Sequence, residues 1–420
     1  MIRISCLTAA LGIVGIASGA SAQQASGVAR ARGMADAFGA VARGAEAAMY
    51  NPANLGLRTQ RRFSMTLPAG HAAYGSAPGT FADINRFAGE VLPDEVKAAW
   101  LSAIPEGGVF RGRVDADLTG IGIAIDRLAV TVGAVGHASI VLPRMAAELL
   151  LNGNAGIDGS FGGGSGRYFA ASYLALSGGL PVAELEGGVL AAGATVKYLH
   201  GHAYGSIWNV AGSIARTDAT TALRFPAVTV GGGNHGVGLD LGVAWEGSRL
   251  SLSASVMDLR NTLGWSTRDA RLRDGRALVA VDTVLVEFDD RPLDDPSLPA
   301  PLVHEARARL DQATVRPALR LAGAYRIPGL VLAADLVHRS SDESALLRAR
   351  GTELGLGGEY RPFALLRLRA GAGLGQGGGQ WTVGSGLLFG GVAIDAAYGR
   401  RRTDGTTLSL ASLGLSIGLR

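Results

Sequence analysis

Two histidines separated by one glycine are the most closely spaced candidate metal ligands in the chain. His200 and His202 would point to one face of a strand, where two imidazoles could begin a metal site. At least two more ligands would be needed. With Tyr204 expected on the same face, we interpret the group as a polar row at a membrane interface or in a lumen. We therefore predict no metal and no cofactor.

Two other patterns could bind ions. Four closely spaced aspartates have carboxylate oxygens that could hold calcium, namely Asp289, Asp290, Asp294 and Asp295. Their spacing does not follow the EF-hand pattern, so a solvated acidic loop is the favoured interpretation. Runs of three glycines at 231–233 and 377–379 do not continue into a helix, so they give no support for phosphate binding. We predict that the protein is not an enzyme.

The composition excludes several classes of protein. Of 420 residues, 63 are glycine, 48% are hydrophobic and 18% are charged; about 25% charged residues is usual in soluble domains. This hydrophobic content, with a net charge of only +4, argues against disorder, and a single cysteine excludes a disulfide scaffold. No cluster of Lys and Arg with interleaved aromatic residues occurs, so no nucleic-acid partner is predicted.

Residues 1–22 have the three-part pattern of a secretory signal peptide. Arg3 supplies the positive start, an apolar run follows, and Ala20-Ser21-Ala22 supplies the small residues before a cleavage site. We predict cleavage after Ala22, which removes Cys6 and leaves a mature chain without cysteine. The alternative is a membrane anchor, but an apolar run of about 11 residues is too short to span a bilayer.

After this leader, apolar residues alternate with small or polar ones. Val237, Leu239 and Leu241, for example, alternate with Gly238 and Asp240. A period of two with one apolar face is typical of half-buried antiparallel strands. A soluble sandwich would also alternate, but a second face of Gly, Ala, Ser and Thr suits the interior of a barrel whose aliphatic face meets lipid. We therefore predict an all-β, transmembrane antiparallel β-barrel in the outer membrane of a Gram-negative cell.

The number of strands follows from the number of alternating segments. Sixteen segments are candidates, and we predict about 14 strands, within a range of about 12 to 16, because an even number closes a single-chain barrel. The barrel should occupy residues 61–420, with helices near 81–104 and 142–151 and a long loop near 263–312. Ten aromatic residues could form girdles at the membrane interfaces: Tyr168, Tyr173, Tyr198, Tyr204, Trp208, Trp245, Tyr325, Tyr360, Trp381 and Tyr398.

Residues 23–60, between the leader and the first strand, are rich in small residues and contain the sequence Tyr50-Asn51-Pro52-Ala53-Asn54-Leu55. Small residues allow close backbone packing in a confined space, and Asn51-Pro52 opens a turn because a residue before proline is kept out of the helical region. This segment resembles the start of the outer-membrane barrel group that includes FadL-like long-chain fatty acid transporters and PorV-like barrels.

The resemblance implies that residues 23–60 fold into the lumen as a hatch or plug. The candidate ligand and hatch residues are Gly33, Asp36, Asn51, Pro52, Ala53 and Leu55. Four arginines on the predicted lumen face could hold the carboxylate of a ligand, although pairing with lumenal Asp and Glu is the favoured interpretation: Arg316, Arg320, Arg367 and Arg369.

The resemblance also implies a function, namely uptake of small hydrophobic, fatty-acid-like compounds through the plugged lumen without catalysis. A hatch that moves to admit cargo and a plug that carries none stay open as alternatives. A PorV-like scaffold that binds exported proteins is a second function, suggested by the long loop near 263–312. A passive porin is a third, and a hatch would disfavour it. The partners expected are outer-membrane lipid with a small hydrophobic ligand or an exported protein.

Overall fold

The computed structural model describes residues 28–59, 62–77, 86, 92–152, 158–185, 187–214, 221–279, 284–339, 351–375, 378–403 and 406–419. Within them, 18 strand segments form one antiparallel sheet. The predicted signal peptide lies outside the described residues. The segments are β1 (Phe63–Thr66), β2 (Ala69–Ala77), β3 (Val109–Ile125), β4 (Leu128–Pro143), β5 (Gly159–Leu185), β6 (Gly188–Ile214), β7 (Thr221–Val230), β8 (Asn234–Gly247), β9 (Leu250–Asn261), β10 (Ala270–Val279), β11 (Val284–Pro292), β12 (Ala318–Ile327), β13 (Leu330–Arg339), β14 (Gly351–Phe363), β15 (Leu366–Gly375), β16 (Gly378–Phe389), β17 (Val392–Thr403) and β18 (Thr406–Leu419).

Four strands of the barrel consist of two segments each, so the segments form 14 barrel strands. The segments β1 and β2 both pair with β18, and β7 and β8 both pair with β6. Likewise β9 pairs with β8 while β10 pairs with β7, so β9 and β10 together form the next barrel strand. In the same way β12 pairs with β9 while β11 pairs with β10, so β11 and β12 form one barrel strand. The predicted number of 14 strands is confirmed.

The sheet closes where the last strand pairs with the first. Phe63 of β1 lies opposite Leu419 of β18, and Tyr74 of β2 lies opposite Ser409 of the same strand. Closure pairs the end strands with each other, which is what a lipid environment demands because no water is present there to satisfy exposed backbone groups.

The two faces of the wall differ as the sequence predicts. In β12, Leu319, Leu321 and Tyr325 are exposed on the outside, while Ala318 and Arg320 are buried on the inside. Large apolar side chains therefore face outward, toward lipid, and small or charged ones face the lumen. The predicted aromatic girdles are correct only in part: five residues are exposed on the outside, namely Tyr198, Tyr325, Tyr360, Trp381 and Tyr398, whereas three are buried, namely Tyr173, Tyr204 and Trp208.

The two ends of the barrel are also different. At one end the strands are joined by turns of two residues, such as 126–127, 248–249 and 328–329. At the other end the connections are longer and include helices between β2 and β3 and between β4 and β5. Short turns are typical of the periplasmic side of outer-membrane barrels and long loops of the outer side. We call these the turn side and the loop side.

Outside the wall and the N-terminal segment, the described residues include three helices of nine or more residues. They are α3 (Asp94–Ser102), α4 (Arg144–Asn152) and α5 (Ala300–Gln312). Leu101 and Ile104 pack against Ala147 and Leu151, so the two predicted helices form one small cluster. Most of 81–91 lies outside the described residues, so that part of the first prediction has no structural test. None of the helices in the described part of the chain is long and apolar enough to cross a membrane.

The prediction of a long loop near 263–312 is wrong, because this stretch contains the strands β10 and β11 and the helix α5. Its Arg and Asp residues, which suggested a solvated loop, pair with each other on neighbouring strands. The Arg271 guanidinium lies 2.6 Å from Asp290, and Arg224 pairs with Asp274. Two prolines lie at the start of α5, Pro299 at the N-cap and Pro301 in the first turn, where a missing backbone N–H costs nothing.

Candidate functional site

The N-terminal segment lies inside the barrel. Residues 28–57, which we call the hatch segment, are buried almost throughout, and they contain α1 (Ala29–Arg32), α2 (Ala47–Tyr50) and two short 3₁₀ helices, Gly44–Glu46 and Pro52–Gly56. The helix α1 contacts β16, β17 and β18, whereas Pro52–Gly56 contacts β5, β6 and β8 on another part of the wall. All six candidate hatch residues therefore lie in the lumen.

Asn51 fixes the end of the hatch segment to itself and to the wall. Its Oδ1 accepts a hydrogen bond of 2.9 Å from the N–H of Ala53, which caps the 3₁₀ helix that begins at Pro52. Its Nδ2 donates to the carbonyl oxygens of Val243 and Ala254, at 3.0 and 3.1 Å. One amide thus joins the turn to two adjacent wall strands, β8 and β9.

Glycines of the wall make room for this turn. A Cβ atom added to Gly179 would lie 2.5 Å from the carbonyl oxygen of Pro52. A Cβ at Gly193 would collide with the backbone of Pro52 and Ala53, and one at Gly242 with Asn51. Three neighbouring strands therefore carry glycine where the hatch backbone touches them. Part of the high glycine content follows from this contact.

Replacing Gly193 by Ala should displace the end of the hatch segment, because the atoms that a new Cβ meets are backbone atoms that cannot move aside alone. We expect single-channel conductance in planar bilayers to rise several-fold. Gly323→Ala is the matched control, since a Cβ there meets only Leu252 Cδ2 at 3.6 Å, an ordinary contact. Equal conductance of the two variants would contradict this account of the contact.

A second contact surrounds an unusual turn at Ala35 and Asp36. Both residues have positive φ, 52° and 64°, which is uncommon outside glycine. The turn is held by Thr382, whose Oγ1 accepts from the N–H of Ala35 at 2.9 Å, and by Gln380, whose Nε2 donates to the Ala35 carbonyl at 3.1 Å. Arg320 donates to the carbonyl of Asp36. Wall side chains thus maintain a backbone conformation that is strained in isolation.

Ion pairs hold the hatch segment to the wall at several points. Arg30 lies 2.7 Å from Glu359, which also binds Arg369 at 2.9 Å. Arg32 binds Asp117 at 2.7 Å, and it also pairs with Asp36 of its own segment. Two further contacts complete the set: Arg43 with Glu246 at 2.5 Å, and Asp335 with both Arg320 and the N–H of Gly39. The segment is therefore held by charge as well as by packing.

The four arginines predicted to face the lumen have different surroundings. Arg320 and Arg369 are buried and paired with Asp335, Glu359 and Asp395, as in the interpretation favoured from the sequence. Arg367 is also buried. Arg316 is not in a strand: it lies between α5 and β12 and is exposed, because the strand begins only at Ala318. It does not join the other three.

The partners in the hatch and wall were not found from the sequence. The immediate neighbours of Arg30, Arg43, Asp335 and Glu359 in the sequence are small or hydrophobic residues. In an alternating strand, an isolated charge at an inward position is a signal that could have found the two carboxylates. Which arginine meets which carboxylate depends on register and could not be read from the sequence.

Little free space remains beside the hatch segment. One polar cavity next to Asp36 has a volume of about 40 Å³ and a second about 20 Å³. A buried water needs about 10–15 Å³ on this measure, so these cavities admit only a few waters. They are lined by charged side chains such as Arg113, Asp115 and Arg339. Both cavities beside the described hatch segment are therefore too small for a ligand.

Toward the loop side, the lumen has a different character. Four aromatic residues, Phe169, Tyr204, Trp208 and Trp265, belong to one buried cluster that is covered by α5. We call these four the aromatic compartment. The indole N–H of Trp265 donates to the carbonyl of Ala313 at 2.8 Å, and the Tyr204 hydroxyl donates to that of Arg309 at 3.2 Å. The sequence predicts Tyr204 and Trp208 as girdle residues, with Tyr204 also in the polar row, and it gives Phe169 and Trp265 no role.

The histidine pair lies on the outside of the barrel, and Tyr204 does not share its face. His202 is skipped in the pairing of β5 with β6, where Ala170 faces Ala203 and Ala171 faces Gly201. This bulge reverses the alternation, so that Tyr204 turns into the lumen. No group of three or more His, Cys, Asp or Glu among the described residues is arranged to hold a metal ion.

The other candidate chemistry finds no site in the described chain. Three of the four aspartates already have partners, Asp289 with Arg291, Asp290 with Arg271 and Asp295 with Ser297. The hydrogen bonds from Arg291 hold the pKa of the Asp289 carboxyl below its usual range. The sequence also contains one Gly-x-Ser-x-Gly pentapeptide, Gly414–Gly418, but it lies inside β18, so it is not the strand-to-helix turn that exposes a nucleophile.

Solved structures share this architecture. The crystal structure of the Ralstonia pickettii toluene transporter TbuX has 14% sequence identity and a TM-score of 0.50, with 92% of this chain and 98% of that chain covered. A FadL homologue from Pseudomonas aeruginosa has 14% identity and a TM-score of 0.51, with coverage of 93% and 98%. No protein-family model and no curated protein matches the chain. The fold is that of FadL-like outer-membrane barrels, as the resemblance implied.

Proposed function

We propose that this protein is a non-enzymatic outer-membrane barrel that takes up small hydrophobic compounds through a lumen closed by residues 28–57. One observation carries the proposal: an aromatic compartment on the loop side is separated from the turn side by the hatch segment. The hatch segment contacts Gly179 and Gly193, near the ends of β5 and β6 at Leu185 and Gly188, while Phe169 and Tyr204 lie farther along the same strands toward the loop side.

The chemistry of the compartment favours apolar cargo. The polar atoms of Tyr204 and Trp265 are occupied by backbone carbonyls, and both side chains are buried beneath α5, so cargo that displaces this packing would meet ring surfaces rather than hydrogen-bonding groups. An apolar compound that moves from water to such surfaces loses unfavourable hydration. That a protein of similar fold is described as a toluene transporter supports the same class of cargo.

Passage beyond the compartment requires the hatch segment to move. Cavities of about 40 and 20 Å³ are too small for a monoaromatic ring or an acyl chain. The segment is held by hydrogen bonds and ion pairs, without a covalent link to the wall, and the turn at Ala35 and Asp36 is strained. A shift of this segment would open a route while the wall itself stays intact.

Trp265→Ala should raise the concentration of half-maximal uptake by about tenfold, the equivalent of about 1.4 kcal/mol of lost ring contact. We would measure saturable uptake of radiolabelled toluene by cells that carry each variant. Trp265→Phe keeps a ring but loses the hydrogen bond to Ala313, which separates cargo contact from the support of α5. Trp381→Ala, on the outer face, is the control. A change of the same size in the control would contradict the assignment.

Binding of exported proteins is a second candidate function, and the hairpin of β10 and β11 favours it. This hairpin is rich in charge, and its Phe288 is 42% exposed. If it is a docking surface, Phe288→Ser should abolish capture of a secreted partner by intact cells and leave toluene uptake unchanged. If Phe288→Ser instead lowers toluene uptake and leaves capture of the secreted partner unchanged, the hairpin is not a docking surface and transport alone is favoured. Export through cleavage after Ala22 stays a prediction.

A further inference from the structure

A band of basic and imidazole side chains lies on three neighbouring barrel strands, β6, β8 and β9, and on the segment that leads into a fourth, β12. It consists of His200, His202, His235, Arg260 and Arg316, and none of the five is buried. His200 lies directly opposite His235 across β6 and β8, and Arg260 lies opposite Leu239 across β8 and β9. Residues that face each other in a ladder share a face of the sheet, so His200, His235 and Arg260 lie on the outer face with their neighbours. His202 and Arg316 have no ladder partner among the described residues, and both are exposed.

The band marks the limit of the aliphatic surface on the loop side. Below it, toward the turn side, the outward positions are apolar and exposed, as at Val196, Val237, Leu241 and Leu319. His200, His235, Arg260 and Arg316 each lie about ten residues from the turn-side end of their strand, the length that a tilted strand needs to cross the hydrocarbon core. The change from aliphatic to basic side chains therefore falls where hydrocarbon gives way to lipid headgroups.

The imidazoles of the band contact each other and neutral neighbours: His235 Nδ1 lies 3.1 Å from His200 Nδ1 and 2.5 Å from the Tyr198 hydroxyl, and His202 Nε2 lies 2.9 Å from Ser172 Oγ. The other ring nitrogens and the two guanidinium groups are the donors that a ligand could use. The rings of His200 and His235 lie 4.7 Å apart, and those of His200 and His202 lie 4.6 Å apart, so the three imidazoles form one cluster. The ring of Tyr198 stacks on that of His235, on the turn side of the band. Among the described residues, neither Arg260 nor Arg316 makes an ion pair or hydrogen bond, and no carboxylate contacts the histidines. Positive and donor groups without an acidic partner are complementary to an anion.

We propose that His200, His202, His235, Arg260 and Arg316 bind the phosphate groups of a phosphorylated glycolipid in the outer leaflet of the membrane. The lipid's acyl chains would lie on the aliphatic surface below, and its phosphates would accept hydrogen bonds from the guanidinium and imidazole groups. Guanidinium is the side chain best suited to phosphate, because its planar fork donates two parallel hydrogen bonds. The site lies on the outside of the wall and does not depend on transport through the lumen.

The test uses the intact protein in detergent micelles, with diphosphorylated lipid A and its dephosphorylated form as probes. Bound lipid is counted by native mass spectrometry after gel filtration. We expect the wild type to retain the phosphorylated form at least fivefold better, and Arg260→Gln with Arg316→Gln to lose most of that preference. The double variant Arg268→Gln and Arg307→Gln is the matched control, since it removes the same charge from exposed residues on the loop side.

The remaining outcomes would overturn the proposal. Equal retention of the two lipid forms would mean that the aliphatic surface alone binds them. An equal loss in the control variant would mean that net charge matters and the band does not. Complete displacement of the lipid by millimolar inorganic phosphate would show a phosphate site without selectivity for a lipid. The double variant His200→Gln and His235→Gln should reduce the preference for the phosphorylated lipid. Its heat-modifiable mobility, which reports a folded barrel, should not change. An unchanged preference would show that the histidines are not part of the site.

Discussion

Linking the hatch segment to the wall by a disulfide should stop uptake. A Cβ atom at Gly414 of β18 would lie 3.6 Å from the Cβ of Ala29 in α1, within the range of about 3.5–4.5 Å that disulfides require. With Ala29→Cys and Gly414→Cys, we expect toluene uptake to fall at least tenfold under oxidation and to recover on reduction. The reason is that the two polar cavities beside the hatch segment hold only a few waters, so cargo needs this segment to move.

The chain offers a control that uses the same cysteine. The Cβ of Ala69, in the neighbouring wall strand β2, lies 3.5 Å from the same position at Gly414. Ala69→Cys with Gly414→Cys therefore makes a disulfide of similar geometry within the wall and leaves the hatch segment unattached. The only cysteine is Cys6, in the predicted leader, so no other thiol of the mature chain is expected to compete. Full uptake by the oxidised hatch variant would show that cargo passes without movement of α1.

Replacing Glu359 by Gln should lower the free energy of unfolding by about 3–5 kcal/mol, the usual result of removing one partner of a buried pair. Glu359 is fully buried, and its carboxylate binds Arg30 of the hatch segment and Arg369 of the wall. Its loss leaves two buried guanidinium groups with only Glu46, at 3.6 Å from Arg30, and Asp395, at 2.7 Å from Arg369. Urea unfolding in lipid vesicles, followed by tryptophan fluorescence, measures the change.

Glu184→Gln is the matched control for this variant. Glu184 pairs with Arg58 at 2.7 Å, the same distance as Arg30 from Glu359, but the side chains of both are more than half exposed. Exposed pairs contribute about 0–1 kcal/mol, so the control should be close to wild type. Because Arg30 belongs to the hatch segment, Glu359→Gln should also raise single-channel conductance, which a defect confined to the wall would leave unchanged. Equal stability of the two variants would contradict the assigned role of the buried cluster.

The barrel was predictable because strand periodicity is local. Leu319 and Leu321 alternate with Ala318 and Arg320 along consecutive residues, so the sequence alone shows which side chains face lipid. The pairing of distant charges is not local. Arg30 meets Glu359 across more than 300 positions, and only the register of β14 against its neighbours brings them together.

The errors have physical causes of the same kind. A bulge at His202 reverses the alternation, so counting by twos placed Tyr204 on the wrong face. In 263–312, the Arg and Asp residues predict a loop, whereas beyond the membrane a strand can carry Arg and Asp on both faces if they pair, as Arg271 and Asp290 do. The function of Asn51 and its neighbours came from the resemblance, since no spacing rule predicts which wall carbonyls an amide will reach.

The central claim is that hydrophobic compounds cross this barrel by way of the aromatic compartment and the hatch segment. The most direct measurement is uptake of radiolabelled toluene, and of a hydrophilic solute of similar size, by cells with and without the protein. The account predicts saturable uptake of toluene only when the protein is present, with no increase for the hydrophilic solute. Equal entry of both solutes, or toluene uptake that does not depend on the protein, would contradict it.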